Sequence, residues 1–284
     1  MSAKRKSKVK PVVYTLLSFL LCIVLSALSV CIALQCTVMS RDYMLGVMGS
    51  HGYYSMIRDE MRSNLSALGS QSGLNDEIIN RLVDSMDIQS AVTGYVNALY
   101  ENKTPFVKTT EFRQKLTNEI DQYITTNSID RSSLSSAGIS KLVDTAEQVY
   151  CDTIAFPVSE SIAKILRDTQ EPLILLIALL TGTAIILIAV IYLTNHYKHR
   201  RYRYLSYAFA GSALVISVLP AIGLISGKIY QINILTRSLY SFVTNYVTGV
   251  LLSFLLFAAV MAVCFVLSFL MYRKTYLKAL GNNV

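Results

Sequence analysis

The sequence predicts an all-α integral membrane protein with four transmembrane helices and a helical extracytoplasmic domain between spans 1 and 2. Three observations carry this prediction. Hydrophobic residues make up 53% of the 284 residues, and the mean hydropathy is +0.45, as is typical of membrane proteins. Four windows without a charged residue are long enough to cross a hydrocarbon core about 30 Å thick. All eighteen acidic residues lie between Asp42 and Glu171.

The uncharged windows and the polar stretches between them divide the chain into nine predicted segments. These are a basic tail (1–11), span 1 (12–40), an outer domain (41–171), span 2 (172–194), a basic loop (195–204), span 3 (205–226), a short outer loop (227–245), span 4 (246–272) and a second tail (273–284). We expect span 1 to be a retained anchor, because its apolar run is longer than the apolar core of a signal peptide.

Basic residues identify the predicted cytoplasmic side. If the four spans alternate, twelve Lys and Arg residues fall on one side, in the two tails and the 195–204 loop. Only Lys228 and Arg237 fall in the opposite short loop. This positive-inside pattern predicts a plasma membrane protein with cytoplasmic termini and residues 41–171 outside. The net charge of +8 is then a topology signal, and we expect no nucleic-acid partner.

The outer segment contains five apolar stripes with helical spacing, which predict five amphipathic helices. They are Tyr54–Leu68, Leu74–Met86, Ile88–Leu99, Phe112–Tyr123 and Ile139–Ile154. Gly69 and Gly73 are predicted to end the first, and Asn75 to cap the second. Five stripes can bury a common core, so a folded all-α domain is expected.

Residues at the two ends of this segment predict how it joins the spans. Gly46, Gly49 and Gly52 favour a flexible neck over a packed helix face, because isolated glycines cost a helix up to about 1 kcal/mol each. Pro157 should kink the last helix. Val158, Ile162 and Ile165 then resume the apolar pattern, and the chain is expected to enter the second span directly at Pro172.

The small residues of span 1 predict a close helix contact, and the cysteines predict no disulfide framework. Cys22, Ser26 and Ser29 form a stripe that would let a neighbouring helix approach closely. The five cysteines are few and scattered, so free thiols are expected.

No motif indicates catalysis, a cofactor or a metal. The sequence contains no HExxH, CxxC or GxSxG pattern, and its three histidines lie in a glycine-rich segment or a basic loop. The spans contain no ionisable residue between their borders, which is evidence against an ion-coupled transporter acting alone. We therefore expect a protein that is not an enzyme, with no catalytic residue, no cofactor and no metal site.

Two groups of residues are candidate sites. Lys198, Arg200, Arg201 and Arg203 could contact anionic lipid headgroups; the alternative is that they serve only as topology signals beside an aromatic belt. Pro220, Gly223 and Gly227 are a candidate helix-packing or hinge group.

Asn64-Leu65-Ser66 and Asn102-Lys103-Thr104 match the N-glycosylation acceptor pattern, which matters only in a host that glycosylates exported proteins.

Two function hypotheses follow. The first is a non-enzymatic envelope protein (an adaptor, scaffold or sensor-like accessory) whose outer domain binds a partner or ligand. The second is a permease or channel component working with a cytoplasmic ATPase. The span order resembles that of FtsX-type permease subunits, which partner an ATPase. This resemblance covers topology only, residues 195–203 leave no room for a long coupling segment, and we assign no family. Both hypotheses place the lipid bilayer and a protein among the partners.

Overall fold

The computed structural model of the protein describes residues 3–72, 75–101, 106–126, 136–155, 159–195, 197–234 and 236–281. Throughout these ranges the regular structure is helical, so the all-α prediction is confirmed. Four of the helices are long and apolar enough to cross a membrane, as predicted. The predicted kink at Pro157, the end at Gly73 and the acceptor site at Asn102 lie outside the described residues.

Ten α-helices and one short 3₁₀ helix at Lys228–Gln231 are present in the described part of the chain. The α-helices are α1 (Ala3–Cys36), α2 (Arg41–Ser50), α3 (Tyr53–Ser72), α4 (Asp76–Ser85), α5 (Ile88–Tyr100), α6 (Thr110–Thr126), α7 (Ser136–Ile154), α8 (Ser159–Thr194), α9 (Lys198–Ile225) and α10 (Arg237–Gly281).

Two of the apolar helices extend well beyond the predicted spans. α8 passes through Pro172 without a break, so the chain enters the second apolar stretch directly, as expected. α10 has 45 residues and is roughly 66 Å long at 1.5 Å per residue, about twice the thickness of a hydrocarbon core. The predicted outer loop 227–245 is therefore partly helical, because its last residues form the first turns of α10.

The chain divides into two compact units. We call residues 1–40, 169–232 and 244–284 the bundle unit, and residues 41–168 and 233–243 the helical unit. The bundle unit holds most of the four apolar helices. The helical unit holds α2 to α7, the first turns of α8, the connection between α9 and α10, and the first turns of α10.

In the bundle unit, α1 and α9 run side by side in the same direction. The Ser18 hydroxyl donates to the Tyr204 carbonyl at 2.6 Å, and further along both helices Cys22 packs against Gly211. The predicted small-residue stripe on α1 is buried, with Ser26 and Ser29 donating to carbonyls of their own helix. The neighbour that approaches its Cys22 end is α9.

At one end of the bundle unit, the basic segments of the chain lie close to one another. The Tyr14 hydroxyl donates to the Thr194 carbonyl at the end of α8, and the Tyr14 ring lies 5.5 Å from that of Tyr204. The ring of His199, at the start of α9, lies 5.9 Å from that of Tyr276 near the end of α10. The start of α1, the α8–α9 turn and the end of α10 therefore share one end of the bundle.

In the helical unit, α3 is the central helix and packs against α2, α4, α5 and α7. The Phe112 and Tyr150 rings stack at 4.5 Å between α6 and α7, and both side chains are fully buried. Asn75 caps α4 as predicted, with its side chain accepting from the Glu77 amide at 3.2 Å. Ion pairs join neighbouring helices, for example Arg62 to Asp84 at 2.7 Å.

The prediction of a flexible neck is wrong for two of its three glycines. Gly46 and Gly49 lie within α2, and only Gly52 breaks the chain, with a φ of 67°. Met44 and Met48 are one helical turn apart and both are buried. Their burial offsets the glycine cost, since tertiary packing of an apolar face supplies most helix stability in proteins.

Two further details differ from the sequence prediction. α3 continues through the buried Gly69 to Ser72, so Gly69 does not end that helix. Ile162 and Ile165 do not continue the buried stripe. Ile165 is 62% exposed, whereas Ala163, one position along the helix from Ile162, is buried. A shift by one residue rotates the buried face of a helix by about 100°. All five cysteines are free thiols.

Candidate binding cavity and basic end

A cavity of about 520 Å³ opens in the helical unit between α3, the end of α7 and the first turn of α10. Its described lining combines apolar, hydroxyl, amide and acidic side chains: Tyr53, Ile57, Glu60, Asn64, Val149, Asp152, Thr153, Ala155, Thr236, Ser238 and Leu239. This volume lies within the range of about 300–1,000 Å³ that small-molecule pockets occupy.

Glu60 ties α3 to the first turn of α10 at one wall of the cavity. Its Oε1 accepts from the Ser238 backbone N–H at 2.8 Å, and its Oε2 accepts from the Ser238 hydroxyl at 2.6 Å. The first N–H groups of a helix have no acceptor within that helix. The carboxylate therefore satisfies an otherwise unpaired donor and places a negative charge at the positive end of the helix dipole.

Tyr53 forms the apolar part of the same wall. The side chain is 4% exposed, and its ring lies 5.6 Å from that of Phe242 in α10. Burial, with a smaller contribution from the Glu60 charge, raises the pKa of the Tyr53 phenol well above its ordinary value. The phenol therefore stays neutral at physiological pH. Asp152, across the cavity on α7, is exposed and forms no ion pair with any described residue.

The predicted lipid-contact residues lie at the first turns of α9, each arginine against a tyrosine ring. The guanidinium carbon of Arg201 is 4.4 Å from the Tyr192 ring centroid, and its Nε donates to the Asn195 carbonyl at 2.7 Å. Arg203 lies over Tyr204 at 5.1 Å and donates to its hydroxyl, while its buried Nε has no partner. Such contacts hold a guanidinium in place without neutralising it.

Lys198 and Arg200 complete this basic group, with Arg200 lying over the Tyr197 ring at 5.1 Å. None of its four cationic side chains forms an ion pair within the part of the chain that the structure describes. The sequence has no Asp or Glu outside residues 42–171. The group therefore carries four positive charges, and the nearest acidic residues before it in the chain end at Glu171, in the first half of α8.

The predicted hinge residues have different environments. Pro220 is buried inside α9, which continues beyond it to Ile225. Gly223 faces α10, where an added Cβ would lie 3.0 Å from Leu251 Cδ1. Gly227 follows the helix, has a φ of 64° and would place a Cβ in open space. Of the two glycines, only Gly223 is at a helix contact, whereas Gly227 enables the turn after α9.

Sequence reasoning did not find the cavity. Its two carboxylates come from different helices, and Glu60 and Ser238 are 178 positions apart. The one sequence signal was the polar start of the last uncharged window, which contains residues 238–245. No group of three or more His, Cys, Asp or Glu side chains that could hold a metal ion occurs among the described residues.

These features define a class: an all-helical protein with four helices that could span a membrane and a compact unit of shorter, amphipathic helices between the first two. No family model, no curated protein and no solved structure matches the chain.

Proposed function

We propose that this chain is a non-enzymatic integral protein of the plasma membrane that presents its helical unit outside the cell and binds a ligand or partner there. One observation carries the proposal. The α9–α10 connection, residues 233–243, folds into the same compact unit as residues 41–168. Glu60 and Ser238 form the hydrogen bonds that join the two segments.

This observation bears on sidedness, because two segments that fold together must lie on the same side of a membrane. Residues 41–168 end within the first turns of α8, and residues 233–243 end within the first turns of α10, so four alternating spans satisfy the requirement. The basic segments gather at the one end of the bundle unit to which Tyr14, Thr194 and Tyr276 belong. The positive-inside rule assigns that end to the cytoplasm.

The same arrangement supports a binding role over a catalytic one. The helical unit offers a cavity of ligand size, and its polar groups suit recognition by charge and hydrogen bonding. The basic end suits contact with anionic lipid headgroups of the inner leaflet, since Lys198, Arg200, Arg201 and Arg203 need an outside source of negative charge.

Cysteine labelling in intact cells tests this proposal. In a cysteine-free background, Lys108→Cys in the helical unit, Asn233→Cys in the α9–α10 connection and Lys278→Cys near the end of α10 are single exposed probes. A membrane-impermeant maleimide should label the first two in intact cells and the third only after permeabilisation. The reverse pattern would overturn the proposed topology, and labelling of only one of the first two would contradict their common side.

A second candidate function, a permease component that works with a cytoplasmic ATPase, draws on the contact between α9 and α10. Gly223 packs closely against Leu251, and Pro220 leaves the Ile216 carbonyl without its usual donor. Both features suit helices that move against each other. Purification in mild detergent tests this candidate, which predicts a bound ATPase that is lost when Lys198, Arg200, Arg201 and Arg203 are replaced by Gln.

A further inference from the structure

The cavity in the helical unit has a one-sided charge. Two carboxylates, Glu60 and Asp152, line it, and its described lining includes no Lys, Arg or His. The sequence around it adds to this sign, because Arg41–Glu171 contains twelve Lys and Arg against eighteen Asp and Glu, a net 12 − 18 = −6. These two carboxylates would repel an anionic ligand and attract a cation.

Glu60 can accept further hydrogen bonds, although it already accepts two from Ser238. Each carboxylate oxygen can accept two hydrogen bonds, and here Oε1 and Oε2 accept one each from Ser238. Asp152 has both oxygens open to a ligand, because it is exposed and forms no ion pair among the described residues. Asn64 and the hydroxyl of Thr153 add neutral polar groups to the same lining.

The remaining wall is apolar, and it therefore favours an organic cation over a hydrated metal ion as the ligand. Ile57, Val149, Ala155 and Leu239 contribute aliphatic surface beside the buried ring of Tyr53. A metal ion would need several oxygen ligands around it and gains nothing from aliphatic walls. An alkyl chain, by contrast, is stabilised by each CH₂ that it buries against such a wall.

We propose that this cavity binds a small organic ammonium ion, with the charged nitrogen donating to Asp152 and Glu60 and a short alkyl part against the aliphatic wall. This inference rests on the proposed function, since it names the ligand class of the outward-facing unit. One consequence follows: the Glu60 carboxylate, which accepts hydrogen bonds from Ser238 in the first turn of α10, would also accept one from the ligand. Ligand binding is thereby linked to a helix that continues through Gly281.

Calorimetric titration of the full chain in detergent micelles with n-butylammonium chloride tests the proposal. Sodium butyrate and sodium chloride at equal ionic strength serve as comparison solutes. We expect saturable binding of n-butylammonium and none of butyrate. Asp152→Asn should weaken binding about tenfold or more, because a hydrogen bond to a charged group is lost. Asp168→Asn removes the same charge from an exposed position outside the cavity and should match the wild type.

A second pair of variants tests the cavity independently of Asp152. Asn64→Lys places a positive charge in the lining and should abolish n-butylammonium binding, whereas Asn118→Lys adds the same charge at an exposed position of α6 outside the cavity and should retain binding. Equal affinities for Asp152→Asn and Asp168→Asn, or binding of butyrate as strong as that of n-butylammonium, would overturn the proposal. Detergent removes sidedness from this assay. Binding together with inverted cysteine labelling would refute only the proposed topology, and correct labelling without binding would refute only the ligand class.

Discussion

Adding a single methyl group at Gly211 should destabilise the bundle unit, and removing one sulfur atom should restore it. An alanine Cβ at this position would lie 2.7 Å from Cys22 Sγ and 3.7 Å from Cys22 Cβ. The first distance is shorter than real Cβ contacts allow, so α1 and α9 must move apart or Cys22 must change rotamer. The second is ordinary van der Waals contact. The clash in Gly211→Ala therefore comes from the sulfur alone.

Overpacking a well-packed core costs about 1–3 kcal/mol. For a chain of this size, each kcal/mol shifts the midpoint of thermal unfolding by roughly 2–4 °C. Gly211→Ala should therefore lower the midpoint by several degrees. Cys22→Ala alone removes the sulfur and leaves a small cavity. The double variant Gly211→Ala/Cys22→Ala should nevertheless be more stable than Gly211→Ala, because the added methyl group partly fills the space that the sulfur occupied.

Size-exclusion chromatography of detergent-solubilised protein after heating measures the folded fraction. Gly182→Ala is the matched control, because a Cβ at Gly182 in α8 meets nothing within 4 Å. That substitution should leave stability unchanged or raise it, since alanine favours a helix over glycine by up to about 1 kcal/mol. Equal midpoints for Gly211→Ala and Gly182→Ala, or a double variant no better than Gly211→Ala, would refute the close approach of α1 and α9.

Two further predictions concern the helical unit. Phe112→Ala should destabilise the unit by about 3–5 kcal/mol, because the ring is fully buried and stacks 4.5 Å from that of Tyr150. Urea unfolding followed by tyrosine fluorescence, which no tryptophan obscures, and by far-ultraviolet circular dichroism would measure this change. A decrease in the free energy of unfolding of less than 1 kcal/mol would contradict the stacked core. Burial, with smaller contributions from Cys151 and Glu111, raises the pKa of Tyr150 to about 12 from the ordinary 10. The unfolded chain therefore loses this proton first, and stability should fall between pH 10 and 12 by up to about 2–3 kcal/mol. Tyr150→Phe should flatten that part of the pH profile, and an unchanged profile would refute the assignment.

The sequence alone determined the features that depend on neighbours a few residues away. Apolar spacing placed α3 to α7 close to their observed positions, and Asn75 marked the start of α4, because the period of a helix and its caps are local properties. Four uncharged windows identified the four long apolar helices for the same reason. The segregation of all acids into residues 42–171 is likewise visible without coordinates.

Tertiary packing decided the rest. Gly46 and Gly49 lower the stability of α2, but the burial of Met44 and Met48 offsets this cost. Local helix propensity does not include the contribution of burial, so it cannot predict that outcome. The pairing of α1 with α9 depends on Cys22 meeting Gly211, and the cavity depends on Glu60 meeting Ser238, 178 positions away. Such contacts follow from how whole helices pack, so no window of sequence contains both partners, and the candidate site was visible only once the chain was folded.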